Sequence, residues 1–204
     1  MTMSWLEAIL SLLVIIDPIG NIPAFLGVTA GVAKEKRQRA FTVSVMVAAG
    51  ILLLFSFTGD VILRLVFQLE IAHLQIAGGI LLVVMAIDDL VFGSRRRPQT
   101  TNETLSAEEV GCVPLGCPLL AGPGAIVTTL TIWKNPHTGP VAALIAIIVV
   151  LALFRVVMYY VEEINRLFGR LVITAISKVM LVFLAAIGVR MLIAGIGVYF
   201  PIAK

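Results

Sequence analysis

Long apolar stretches separated by short polar clusters dominate the chain. Each stretch has at least the roughly 20 residues that an α-helix needs to cross a bilayer core of about 30 Å. The six stretches are Trp5 to Ala33, Ala40 to Phe67, Ile71 to Phe92, Cys112 to Trp133, Val141 to Val161 and Leu171 to Phe200. This pattern predicts an all-α membrane protein with six transmembrane helices.

Glycine and proline interrupt the first and the fourth stretch. The interruptions run from Asp17 to Pro23 (DPIGNIP) and from Pro118 to Gly124 (PLLAGPG). Proline inside a helix removes a hydrogen-bond donor and clashes with the preceding turn. Unpaired backbone groups are costly in hydrocarbon, so such a break is tolerated only where protein, water or a ligand satisfies it. The alternative interpretation is a pair of kinks that only shape helix packing.

The two breaks have the same spacing, which indicates an internal repeat. Pro18 and Pro23 are five residues apart, as are Pro118 and Pro123, and a shift of 100 overlays PIGNIP on PLLAGP. A weaker overlay, at a shift of about 103, aligns the third stretch with the sixth. These matches predict a duplicated three-helix unit. Because three is odd, the second copy enters the membrane from the opposite side, and the copies form an inverted repeat with broken helices 1 and 4.

The polar stretch between the halves sets the predicted domain boundaries. Residues 1–92 form the first repeat, residues 93–111 a linker rich in Ser, Thr, Glu and Pro, and residues 112–204 the second repeat. Basic residues cluster in alternate loops, so the positive-inside rule places the linker in the cytoplasm and both termini outside it. The clusters are Lys34, Lys36, Arg37 and Arg39, then Arg95 to Arg97, then Arg166 and Arg170.

Composition narrows the class of function. Of the 204 residues, 60% are hydrophobic and 13% are charged, whereas soluble domains carry about 25% charged residues. The net charge of +3 comes from short clusters between apolar stretches, which argues against a nucleic-acid-binding face. No Walker loop, CxxC or HExxH motif is present, so neither ATP-driven pumping nor zinc binding is predicted, and no cofactor is expected.

The two breaks are the predicted binding site. Half-helices that begin at Asn21 and Gly122 would direct free N–H groups to the midplane, where a carboxylate suits them, and nearby carbonyls would accept an ammonium group. Asp17 lies near mid-depth, where it couples transport to a proton or cation, caps the first break, or does both. The candidate binding residues are Asp17, Pro18, Gly20, Asn21, Pro23, Ala121, Gly122, Pro123, Gly124 and Thr128.

Three segments of the chain resemble the MarC-related membrane proteins, also called the small neutral amino acid transporter (SnatA) family. They are IDPIGNIPAF (Ile16 to Phe25), IAGGILLVVMAI (Ile76 to Ile87) and VPLGCPLLAGPGAI (Val113 to Ile126). The resemblance implies six spans in two repeats and a bacterial or archaeal cytoplasmic membrane. For characterised members it also implies transport of glycine, alanine and similar amino acids. The chain departs from the family pattern in the sixth span, where Lys178 stands near the place of an arginine and Leu181 near that of a glycine.

These observations favour a secondary transporter of small neutral amino acids, with alternating access around the breaks and a proton or sodium gradient as the driving force. An intramembrane enzyme is a weaker hypothesis, because neither histidine is placed at bilayer depth. Two further hypotheses fit the sequence. One is a translocator of another small anionic solute or a lipid phosphate, and the second is a membrane scaffold that transports nothing.

The predicted topology is testable by single-cysteine labelling in a background that lacks Cys112 and Cys117. We expect a cysteine at Arg96 to react only from the cytoplasmic side and one at Asn135 only from the other side. Labelling of both positions from the same side would contradict the inverted repeat. In the same experiment, cysteines at Arg37 and Arg166 should react from the cytoplasmic side, and a cysteine at Lys204 should react from the other side.

Overall fold

The described part of the chain is built from helices. The computed structural model describes residues 4–29, 32–61, 65, 68–92, 106–137 and 139–200, and these contain no β-strand. The helices are α1 (Trp5–Ile16), α2 (Ile22–Val28), α3 (Lys34–Val61), α4 (Ile71–Val91), α5 (Ala107–Val110), α6 (Pro123–Trp133), α7 (Gly139–Tyr159) and α8 (Val161–Tyr199). A segment with wide π-helical turns, Gly111–Leu120, lies between α5 and α6 and is called the π segment below.

Within the described ranges, four helical stretches are long and apolar enough to cross a membrane. They are residues 34–59 of α3, α4, α7 and residues 171–199 of α8. The apolar helices α1 and α6 have only 12 and 11 residues, or roughly 18 and 17 Å at about 1.5 Å per residue. Neither can span a bilayer of about 30 Å alone. The prediction of an all-helical membrane protein is confirmed, and both interrupted stretches are divided where the sequence predicts.

Several helices begin in polar sequence, before the predicted apolar stretch starts. α3 begins at Lys34, six residues before the apolar stretch, because charged residues in its first turns face water. α8 begins at Val161, and Gly169, with φ 75°, bends it just before the apolar stretch begins. Helical structure also starts at Ala107, inside the segment predicted to be a linker.

The irregular backbone of the π segment follows from its prolines. Val113 (φ −135°, ψ 124°) and Cys117 (φ −134°, ψ 125°) are extended. Each precedes a proline, and the proline ring disfavours helical angles in the residue before it. The segment nevertheless packs closely on α3, because a Cβ at Gly111 would lie 2.5 Å from the Ala40 carbonyl oxygen.

Three phenylalanines anchor the short helix α2. The Phe25 ring centroid lies 5.5 Å from that of Phe41 on α3 and 5.0 Å from that of Phe154 on α7. All three side chains are fully buried. A helix of seven residues has little stability of its own, so this contact is what holds α2 in place.

Helices α4 and α8 lie antiparallel and in backbone contact. A Cβ on Gly79 would lie 2.5 Å from the carbonyl oxygen of Gly188, and one on Gly195 would lie 2.7 Å from that of Ala72. Farther along, the Lys178 ammonium reaches the Asp89 carbonyl near the carboxyl end of α4. Small residues allow membrane helices to approach this closely. The contact at Gly79 and Gly188 is called the glycine crossing below.

Charged side chains meet at one end of the bundle, which we call the basic end. There Glu162, at the start of α8, pairs with Arg37 and with Lys34, the latter at 3.2 Å. Arg39 pairs with Glu108 at 2.5 Å. These contacts bring the loop after the first predicted span, the end of the linker and the loop after the fifth span to the same end. Arg96 and Lys204, which the predicted topology also uses, lie outside the described residues.

The glycine crossing predicts a contrast between two glycines of α8. Gly188→Ala places a methyl group about 2.8 Å from the Gly79 carbonyl oxygen and should destabilise the protein by about 1–3 kcal/mol. Gly197→Ala meets no atom within 4 Å and should be neutral or slightly stabilising, because alanine favours helix. Thermal unfolding of both variants in detergent measures the difference. Equal melting temperatures would show that α4 and α8 are not in close contact.

Candidate functional site

The first break is organised by the carboxylate of Asp17. The chain leaves α1 at Asp17 in the left-handed region (φ 42°, ψ 72°). Asp17 Oδ1 accepts a hydrogen bond of 2.9 Å from the Gly20 backbone N–H. A Cβ on Gly20 would overlap the same carboxylate, so only glycine fits beneath it. Asp17 therefore caps the break, as one of the two sequence interpretations predicts.

Asn21 is the residue before α2, but its side chain does not cap that helix. Its Nδ2 instead donates a hydrogen bond of 2.7 Å to the Ile16 carbonyl oxygen. The carbonyls at the carboxyl end of α1 have no partner within the helix, and the amide supplies one. Asn21 thus occupies the N-cap position of α2, as expected. Its side chain, however, bonds the end of α1 and not the start of α2.

The second break leaves a helix end without a side-chain cap. Gly122 is extended (φ −74°, ψ 169°), and Pro123 follows as the first residue of α6. Proline has no N–H, so the first amide donors of α6 belong to Gly124 and Ala125. Gly122 makes no side-chain bond to them. A shift of 100 places Cys117 where the first break has Asp17, so the second break has no equivalent carboxylate.

Both breaks face one cavity of about 660 Å³. The structure thus brings together two segments that are about 100 residues apart in the chain. Most of the predicted binding residues line the cavity, namely Asp17, Gly20, Asn21, Pro23, Gly122, Pro123 and Gly124.

Three predicted residues lie outside this lining. Pro18 and Ala121 are buried, and the Thr128 side chain is only half-buried but does not reach the cavity. The binding role of these three stays a prediction, and the structure shows only that they do not line this cavity. α6 runs away from the cavity, so Thr128, a turn beyond Gly124, is already past it.

Gly124 lines the cavity, but a side chain added there would point at the neighbouring helix α4. A Cβ there would lie 2.7 Å from Leu82 Cδ1 on α4. The glycine therefore permits α4 and α6 to pack, in addition to leaving the break open. A bulky residue at Gly124 would disturb this packing as well as any ligand.

Sequence reasoning missed the polar face that α8 presents to the cavity. Between residues 171 and 189 the only polar residues are Thr174, Ser177 and Lys178, and all three line the cavity. Lys178 Nζ donates to the carbonyl oxygens of Asp89 at 2.5 Å and Leu90 at 2.7 Å. The signal was available, because polar residues spaced three and four apart share a helix face and rarely face lipid.

The cavity extends from the breaks toward the basic end and stops at the glycine crossing. Its lining on α4 runs from Leu82 to Phe92, beyond Gly79 in the chain. Its lining on α8 runs from Asn165 to Leu184, before Gly188. Asn165 lies one helical turn from Glu162 of the basic end. Beyond this lining, α4 and α8 are in direct contact at the glycine crossing.

Comparison with known proteins places this arrangement in a family. The chain is similar to a UPF0056 membrane protein of Archaeoglobus fulgidus, 32% identical over 190 residues that cover 91% of this chain and 89% of the relative. It is 31% identical over 200 residues to the UPF0056 membrane protein YhcE of Escherichia coli, covering 94% and 91%. It is 29% identical over 201 residues to the UPF0056 membrane protein YvbG of Bacillus subtilis, covering 95% and 94%.

No solved structure matches the chain. The family model for MarC family integral membrane proteins matches residues 2–200, almost the whole sequence and both breaks. The chain therefore belongs to the MarC family of integral membrane proteins.

Proposed function

We propose that this protein is a secondary transporter of small neutral amino acids such as glycine and alanine, with a proton or sodium gradient as the driving force. The observation that carries the proposal is the single cavity bounded by both helix breaks. In transporters, broken helices mark the substrate site near the midplane of the bilayer. The resemblance to the SnatA proteins supplies the substrate class.

The packing of the helices supports the inverted repeat on which this mechanism depends. α1 packs on α7, and the π segment packs on α3. If residues 1–92 and 112–204 are equivalent, these two contacts correspond to each other. The contacts of α2 with α8 and of α6 with α4 correspond in the same way. The antiparallel pairing of α4 and α8 is also what third helices of inverted copies require.

The polar groups around the cavity suit a small zwitterion. Asp17 provides a carboxylate, and Gly124 and Ala125 provide the first amide donors of α6. Partial positive charge at a helix amino end favours an anion. Leu82, Leu119 and Leu181 supply apolar lining for a short side chain.

The shape of the cavity corresponds to one state of alternating access. It reaches the basic end, which the positive-inside rule assigns to the cytoplasm, and the glycine crossing closes the other end. The opposite state would separate α4 from α8 at the crossing and close the basic end. We place the protein in the cytoplasmic membrane of a bacterium or archaeon, with both termini outside the cytoplasm.

A second candidate function is favoured by a specific observation. The uncapped amino end of α6 also suits the phosphate of a small anionic solute or a lipid headgroup. An enzymatic role is less well supported, because the Ser177 hydroxyl donates to the Ile173 carbonyl oxygen, at 2.9 Å, and not to a base. A scaffold role would leave the shared cavity without a purpose.

Uptake of labelled glycine and alanine into proteoliposomes tests the proposal. We expect an imposed proton or sodium gradient to accelerate uptake. Unlabelled glycine or alanine should reduce uptake of the labelled amino acid by competition. Inorganic phosphate should not compete, and competition by phosphate would favour a translocator of anionic solutes. Uptake no faster than into protein-free liposomes, under either gradient and in either direction, would overturn the proposal.

Asp17→Asn separates the charge of Asp17 from its capping bond. Asparagine retains the Oδ1 acceptor for the Gly20 N–H, so the fold should persist. Removing the carboxylate should lower transport by about tenfold or more, as loss of a hydrogen bond to a charged group does. Transport rates and melting temperatures of both proteins measure the effect. Wild-type rate and ion dependence in Asp17→Asn would limit Asp17 to capping.

Gly20→Ala tests the placement of the same carboxylate. The added methyl group overlaps Asp17, so the carboxylate must move and transport should fall. Gly50→Ala is the matched control, because a Cβ at Gly50 meets no atom within 4 Å. Uptake assays should separate the two variants, and equal rates would show that the position of Asp17 has no role in transport.

A further inference from the structure

We propose that Lys178 is a substrate-binding residue that takes the carboxylate of the amino acid, while Asp17 takes its ammonium group. The inference rests on the proposed function and assigns opposite ends of the substrate to two residues of one cavity. Both side chains line that cavity, Asp17 at the first break and Lys178 on α8.

The placement of Lys178 is unusual for a lysine in a membrane helix. Lysines near helix ends extend along the helix to reach the membrane surface. α8 turns its apolar side chains outward, with Val179, Val182 and Phe183 each more than half exposed. Lys178 lies among these residues in the chain yet lines the cavity with Thr174 and Ser177. Its half-buried ammonium therefore lies where the cavity meets the carboxyl end of α4.

The hydrogen bonds of Lys178 hold its ammonium at the cavity wall. The carbonyl oxygens of Asp89 and Leu90 accept two bonds from Nζ. They lie at the carboxyl end of α4, where the helix dipole favours a cation. A lysine ammonium has three donors, so these two bonds leave one for a group in the cavity. The α4 carbonyls are backbone atoms that orient the ammonium, and Asp89 itself also lines the cavity.

Asp17 is arranged in a complementary way. Oδ1 accepts the Gly20 N–H, which fixes the carboxylate at the break. The backbone N–H orients the group without neutralising it, and a carboxylate has acceptor positions for further bonds. A ligand with an ammonium at one end and a carboxylate at the other matches this pair of charges.

A purely structural role predicts a different outcome. If Lys178 only caps α4, its loss should lower stability and weaken every ligand equally. If Lys178 binds the carboxylate, its loss should weaken the binding of glycine, which has a carboxylate. The binding of glycinamide, which has none, should not change. The ratio of the two affinities is therefore the informative quantity, and it is insensitive to a general loss of folded protein.

The test is competition by glycine and by glycinamide against labelled alanine in proteoliposomes, with wild type, Lys178→Gln and Lys178→Arg. We expect wild type to prefer glycine, and Lys178→Gln to lose about tenfold or more of that preference. Lys178→Arg should keep most of it. Arg155→Gln is the matched control, because Arg155 bonds Thr42 and Gln38 outside the cavity, and its preference should not change.

The ways in which the proposal can fail are distinguishable. An unchanged glycine preference in Lys178→Gln, in a protein whose wild type transports alanine, would overturn the role of Lys178 and leave the proposed function intact. A wild type that transports neither alanine nor glycine would overturn both. If Lys178→Gln is too unstable to assay, Lys178→Arg and Lys178→Met are compared instead. A glycine preference that is kept in Lys178→Arg and lost in Lys178→Met supports the role. Equal preferences in these two variants overturn it.

Discussion

A backbone polar group without a partner is not tolerated in hydrocarbon, and this constraint governs how the two helix breaks are built. At the first break the chain supplies its own partners. Asp17 accepts from Gly20, and the Asn21 amide donates to Ile16. At the second break Gly122 offers no side chain to the amino end of α6. The two halves of a repeated sequence thus present different chemistry to one cavity, a fixed carboxylate on one side and open donors on the other.

Close contact between helices determines where the cavity ends. Gly79 and Gly188 bring α4 and α8 together, and the lining lies entirely on the basic side of that crossing. On the same side, Lys178 joins α8 to the carboxyl end of α4 through two carbonyl oxygens. The same pair of helices is therefore in close contact through glycines in one half and lined by polar groups in the other.

The Glu162 ion pairs at the basic end connect parts of the chain that are more than 120 residues apart. Glu162 at the start of α8 holds Lys34 and Arg37 at the start of α3. These pairs are partly exposed and of modest strength. Helix contacts made through backbone glycines are far less adaptable.

The sequence alone determined the membrane class and the position of both breaks, because hydrophobic run length and proline placement are local properties. It also identified seven residues of the cavity, since both breaks had to be satisfied by something. Only the tertiary structure decided that Pro18, Ala121 and Thr128 lie off the cavity, that Asn21 turns back to α1, and that Lys178 faces inward. The cavity lining and the bonds of Lys178 depend on which side of a helix meets a neighbour more than 80 residues away in the chain, and that choice is made by packing. The bond from Asn21 to Ile16 spans only five residues and depends on how the first break folds.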